Sequence, residues 1–240
     1  MVLPGSRNFT GTRRATTVRS LESGDRLDAE VFLRRCEDMP EGSKAELIHG
    51  IVYMLHPVAI EDHGEPDSLI QTWLGAYAIA TPGTRSATNA TLRLGPSDVP
   101  QPDGLLRILP EFGGQSRVEG KFLAGAPELG VEVAASSVSL DLHAKRASYE
   151  AAGMREYLVW RTLDGAVDWW RLEDGAFVSL LPGEDGILRS GVFPGLWLDP
   201  EALLAGEGAR VMAVLNQGVA SADHTAFVEA LAEASRRTAG

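Results

Sequence analysis

Residues 129–134 place a glutamate inside an apolar run, Leu129-Gly130-Val131-Glu132-Val133-Ala134, and no other stretch limits the fold as tightly. In an extended chain Leu129, Val131 and Val133 share one face, and Gly130, Glu132 and Ala134 share the other. The stretch reads as a core strand whose second face exposes Glu132 beside the small Gly130, leaving room for a metal or a phosphate. A carboxylate set so close to a core needs a partner, because burying it unpaired is costly.

Around this strand the pattern alternates between helix and strand. Residues 27–36 place Leu27, Val31, Phe32 and Cys36 on one helical face, capped by Asp25 or Asp28 and ended by Pro40 and Gly42. Residues 45–55 read as a hairpin turning at His49-Gly50. Residues 63–80 carry Leu69, Ile70, Trp73, Leu74, Tyr77 and Ala78 at helical spacing and stop at Pro82-Gly83. Residues 88–94 alternate as a half-buried strand, residues 103–109 form another after the Pro100 and Pro102 breaks, and residues 110–126 read as a loop. After the 129–134 strand, Ser139 or Asp141 caps a helix that Gly153 stops. Residues 157–161, 167–172 and 177–181 then form strands turning at Asp164-Gly165 and Asp174-Gly175. The predicted fold class is α/β, with a core in the order helix, three strands, helix, strand, to which hairpin strands and C-terminal helices are added. It divides the chain into a basic tail (1–20), a main domain (21–199) and a helical extension packed on it (200–240).

Composition sets limits on function. A chain of 240 residues that is 44% hydrophobic and 23% charged can build one sizeable core. The single Cys36 excludes an internal disulfide framework and a cysteine-rich zinc site, and reads as a small buried hydrophobe. No apolar stretch approaches the roughly 20 residues that cross a bilayer. The first residues also lack the apolar centre of a secretory signal, so a cytoplasmic location without a membrane partner is expected. A net charge of -11 weighs against a strong non-specific grip on nucleic acid. The positive charge concentrates at Arg7, Arg13, Arg14 and Arg19 of the tail, which reads as disordered.

Three segments carry chemistry together. Gln101-Pro102-Asp103 enters one apolar run, Glu132 sits inside another, and Lys145 lies in the following helix on a stripe with Leu142, Tyr149 and Ala152. Two carboxylates and an amine at strand ends and a helix are what a divalent-metal phosphodiester hydrolase needs. The carboxylates would hold Mg²⁺, or Mn²⁺, and the lysine would steady the attacking water or the charge of the transition state. Taken singly these residues have plainer readings: Pro-Asp-Gly is a turn signal, Lys145 a surface lysine, and Glu132 with Lys145 a structural ion pair. Glu46 and His63 are secondary candidates, the first for a further metal contact or for orienting a ligand, the second for touching substrate or capping a helix. His49, His56, His143 and His224 have no zinc-site spacing, and no phosphate-binding glycine loop or nucleophile elbow occurs. Trp169-Trp170 reads as sheet and core rather than as a base-stacking platform.

Read as an ordered set, Glu46-Leu47-Ile48-His49-Gly50, His63, Gln101-Pro102-Asp103, Pro127 to Val133, Asp141-Leu142-His143-Ala144-Lys145, Tyr149, Ala152-Gly153 and Glu156-Tyr157 resemble the Uma-two family. That family is restriction-endonuclease-like and belongs to the PD-(D/E)XK nuclease superfamily. The resemblance runs from about Leu27 to Leu231. It implies a restriction-endonuclease-like core, Asp103 and Glu132 as metal ligands, Lys145 as a lysine migrated from strand to helix, and DNA as substrate. Ala45, His49, Glu128 and Ala134-Ala135 depart from the family pattern around that set. Loss of Asp103 or Lys145 should abolish cleavage and leave the fold intact. A homodimer is the arrangement that cutting both strands would need, and the apolar C-terminal helices could supply its interface. From another class, a non-catalytic binding or regulatory module would keep the fold and use Glu132 and Lys145 only as an ion pair.

Overall fold

A computed structural model describes residues 19–55 and 57–239, so most of the basic tail and His56 lie outside the described residues. Helix α1 (Ala29–Glu37) starts at Asp28, whose carboxylate accepts the Val31 N–H at 2.8 Å. Strands β1 (Ala45–Ile48) and β2 (Ile51–Met54) form a hairpin. Its turn residues, His49 and Gly50, both have positive φ, as such a two-residue turn requires. A π-helical turn, Ile60–Gly64, runs into α2 (Glu65–Ala80).

The strands that follow are β3 (Thr84–Thr88), β4 (Leu92–Arg93), β5 (Gly104–Ile108), β6 (Arg117–Glu119), β7 (Phe122–Ala124) and β8 (Leu129–Ala134). A second π-helical turn, Leu140–Lys145, leads into α3 (Arg146–Ala151). Strands β9 (Glu156–Arg161), β10 (Ala166–Glu173), β11 (Ala176–Ser179), β12 (Leu188–Arg189) and β13 (Trp197–Leu198) come next, and α4 (Pro200–Leu204), α5 (Gly208–Val219) and α6 (Ala222–Ala239) close the chain.

The main sheet runs β11-β10-β9-β8-β5-β3. Only β8 and β9 are parallel, joined through α3; the other neighbours are antiparallel. This is the predicted order of helix, three strands, helix, strand, extended by the β10–β11 hairpin. The first core strand, however, is 84–88 and not 88–94: Asn89 turns at φ 48°, and Leu92–Arg93 pairs with β7 in a separate small sheet. The stretch expected to be a loop, 110–126, contributes β6 and β7 to that sheet.

Helix α2 covers one face of the main sheet, with Ile70, Trp73, Leu74 and Tyr77 packed in the same cluster as Val131, Val133 and Leu158. On the opposite face Tyr149 of α3 packs with Leu105, Tyr157 and Val159. β8 is therefore buried on both faces, which corrects the expectation that Glu132 is exposed. The space beside Gly130 is not a ligand cavity either, since a Cβ there would come within 2.7 Å of the Met154 sulfur. Leu203, Val211, Leu215 and Leu231 of the last three helices are buried in the α2-side cluster, so these apolar residues are used within the chain. Among the described residues no helix is long and apolar enough to cross a membrane.

Glu156, at the start of β9, ties the last segment to this core. Its carboxylate accepts the Ser190 hydroxyl at 2.7 Å and the Gly191 and Val192 N–H groups at 2.8 and 3.2 Å. Burial pushes its pKa up to about 7, although those three donors pull the other way. The folded chain then binds more protons than the unfolded one between about pH 4.5 and 7, and stability falls as pH rises through that window. The loss on ionisation is about 3 kcal/mol. Glu156→Gln can accept the same backbone N–H groups without a charge. Its melting temperature should match the parent's at pH 5 and exceed it at pH 8; equal values at both would refute this account.

Candidate active site

Lys145 is the last residue of the second π-helical turn, and its amine points inward. The Nζ lies 2.6 Å from Glu132 Oε1, 3.1 Å from Glu46 Oε1 and 3.4 Å from Asp141 Oδ1. The lysine that taken singly read as a surface residue is thus buried. The wide π winding, a feature frequent at functional sites, presents Asp141 and Lys145 to the same point. Ser139 makes no side-chain cap, and the other expected cap, Asp141, turns its carboxylate to Lys145. Tyr149 donates its hydroxyl to Glu132 Oε1 at 2.9 Å, and Tyr157 donates to the Asp141 carbonyl at 3.1 Å. Glu46 Oε1 also accepts the Gln101 N–H at 2.6 Å, which fixes the β1–β2 hairpin against the loop before β5.

Three carboxylates therefore surround one ammonium, and all four groups are buried. Burial pushes the Glu132 carboxyl well above the ordinary range against the pull of Lys145, while Asp141, Asp103 and Glu46 add to the rise. Glu46 is raised by burial too, and Lys145 and the Gln101 N–H oppose this. For Lys145 burial acts to lower the pKa, but Glu132, Glu46 and Asp141 outweigh it and hold the ammonium well above its usual value. With its three carboxyls ionised the pocket would hold more negative than positive charge, which a cation would relieve.

Asp103 forms a second, more open half of the site. Its Oδ2 accepts the Val133 N–H at 2.8 Å, which fixes the carboxylate to β8 one residue beyond Glu132. Its Oδ1 lies 3.4 Å from His63 Nε2, on the first π-helical turn. The Asp103 carboxylate beside it raises the His63 pKa, and burial opposes this. The Asp103 and His63 side chains keep 15% and 17% of their surface, whereas Glu132 and Lys145 keep 4% each, so a ligand meets the Asp103 side first. Behind Asp103, its carbonyl accepts the Gln71 Nε2–H at 2.8 Å and the Asn89 N–H at 3.1 Å. Gln71 donates to Asp67 as well. A Cβ at Gly104 would lie 2.8 Å from Leu74 Cδ1 and 3.0 Å from Gln71 Nε2, so a larger residue there would have to displace the ends of both side chains.

The five residues singled out from sequence thus fall into two adjoining groups, Glu46 with Glu132 and Lys145, and Asp103 with His63. Asp67 and Gln71 were not singled out, and Asp141 and Tyr149 were read as a cap and a stripe residue without a role at the site. Asp141 and Tyr149 stand four residues to either side of Lys145, and that spacing was the available signal. Among the described residues no three His, Cys, Asp or Glu side chains are set to hold an ion. Two carboxylates nevertheless suit a hard cation such as Mg²⁺, which takes one or two protein oxygens and completes its shell with water and phosphate. By the chemistry of their oxygens Asp103 and Glu132 could supply those ligands.

A family model described as "Putative restriction endonuclease", Uma2, matches residues 29–201. Among solved structures, the chain is similar to a crystal structure described as a putative nuclease belonging to DUF820 from Anabaena variabilis ATCC 29413. Identity is 14% and the TM-score 0.51, over 76% of this chain and 98% of that one. The similarity gives the fold class, a mixed α/β restriction-endonuclease-like architecture. No curated protein matches.

Proposed function

Because this chain belongs to the Uma2 family, a family of restriction-endonuclease-like proteins, we propose that it is a Mg²⁺-dependent DNA endonuclease, able to use Mn²⁺. The observation that carries this reading is the meeting of Lys145 with Glu132, beside an Asp103 carboxylate fastened to the same strand. Asp103 and Glu132 would hold the ion. When bound, it supplies Lewis-acid stabilisation of the phosphate and lowers the pKa of water. Lys145 places a fixed positive charge where negative charge develops in the reaction, and Glu46 holds that ammonium in place. His63, with its Nε2 3.4 Å from Asp103 Oδ1, sits on the more open half of the site, where it can touch the substrate.

Incubating the purified protein with supercoiled plasmid should give nicked or linear DNA in Mg²⁺ or Mn²⁺ and none in EDTA. Absence of cleavage of plasmid and single-stranded DNA in both metals would favour a second reading, a nuclease fold kept as a non-catalytic binding module. The fully engaged Lys145, with three carboxylate partners, is the observation on its side. Calorimetric Mn²⁺ binding that disappears in Asp103→Asn would count against that second reading.

A further inference from the structure

An acidic chain whose site is lined with carboxylates must still bring a polyanion to that site. One cation stands where it can do so. Lys44 directly precedes β1, and strand alternation puts it on the same face as Glu46, roughly 7 Å further out. Glu46 is buried against Lys145, whereas Lys44 is exposed. Its Nζ donates to Asn89 Oδ1 at 3.1 Å. Asn89 in turn donates its N–H to the Asp103 carbonyl at 3.1 Å. The amine is thus linked through a single residue to the strand end that carries Asp103.

The tether is itself unusual. Asn89 has φ 48°, a left-handed conformation that asparagine tolerates better than most residues. It donates its side-chain amide to Thr88, so its oxygen is aimed at Lys44. Being neutral, Asn89 positions the ammonium without cancelling its charge. Among the described residues Lys44 makes no ion pair, so no carboxylate cancels its charge.

We propose that Lys44, held by Asn89, grips the DNA phosphate that flanks the scissile one, and so seats the strand over Asp103 and Glu132. The proposal rests on the nuclease reading above. It makes Lys44 a positioning residue that acts through binding.

The test is the anisotropy of a short fluorescein-labelled duplex bound by the full chain in Ca²⁺, from about 50 to 200 mM salt. Each protein–phosphate contact contributes about 0.9 to the slope of log affinity against log salt. Lys44→Met should therefore lower that slope by about 1, and Lys44→Arg should restore it. Asn89→Gly, which keeps the left-handed backbone and removes the tether, should fall between them. The melting temperature of each variant should stay within ~2 °C of the parent, which separates a lost contact from a damaged fold. A Lys44→Met slope equal to that of the unmodified chain would overturn the proposal and leave the nuclease reading standing. An unmodified chain that binds no duplex at any salt would overturn both.

Discussion

Lys145→Met is expected to lose cleavage and about 3–5 kcal/mol of folding stability together. The substitution keeps most of the volume of the stem and removes the one positive charge among Glu46, Glu132 and Asp141, all of them buried. Breaking a buried ion pair from one side leaves the other charge without compensation, and here three carboxylates are left. The same burial argues against the expectation from sequence that removing Lys145 leaves the fold untouched. A domain of this kind has a total stability of about 5–15 kcal/mol, so the variant remains measurable, though weakened. Its deficit has a predictable sign with pH. Protonated carboxyls need no counter-charge, and burial already pushes Glu132 and Glu46 toward the protonated form. The gap in urea midpoint between the two proteins should therefore narrow on going from pH 8 to pH 5. A variant that unfolds at the parent's midpoint at pH 8 would show that the carboxylates do not depend on the ammonium.

Asp103→Asn should behave in the opposite way, losing cleavage by at least ~10³-fold while stability changes by less than about 1 kcal/mol. An asparagine oxygen can still accept the Val133 N–H, so the link between the start of β5 and β8 survives. What goes is the negative charge on the more open half of the site and the acceptor that raises the pKa of His63. Plasmid cleavage in Mn²⁺, with a thermal melt of the same preparation, reads both effects. An active Asp103→Asn protein would remove Asp103 from the ligand set. Together the two variants separate a residue required for folding and chemistry from one required for chemistry alone.

The sequence was most legible where period and punctuation agreed. Residues 129–134 alternated and became β8, and Trp73, Leu74 and Tyr77 marked α2 through their helical spacing. Asp164-Gly165 and Asp174-Gly175 announced two hairpins, and the strands around them formed. The errors have physical causes. Residues 88–94 alternate well enough for a strand, but the left-handed Asn89 divides them, and alternation cannot reveal which sheet a two-residue strand joins. Glu132 was placed on the correct face and given the wrong exposure, because a single strand does not show that α3 will cover its second face. For the same reason the sequence brought Lys145 to the site without showing that the residue would be buried. Its burial depends on Glu46, distant in sequence, and on π winding that no 3.6-residue pattern encodes.

The Lys145 pocket takes one member from the β1 hairpin, one from β8 and two from the π-helical turn before α3. These segments are far apart along the chain, and contacts of that kind close late and in concert when a protein folds. None of them can peel away without breaking the charged cluster, so local unfolding in this region also dismantles the site. A chain still emerging from the ribosome, or one caught half-unfolded, carries every residue of the site without their arrangement. If the chain cuts DNA, native packing is its safety catch, and only the finished fold is armed.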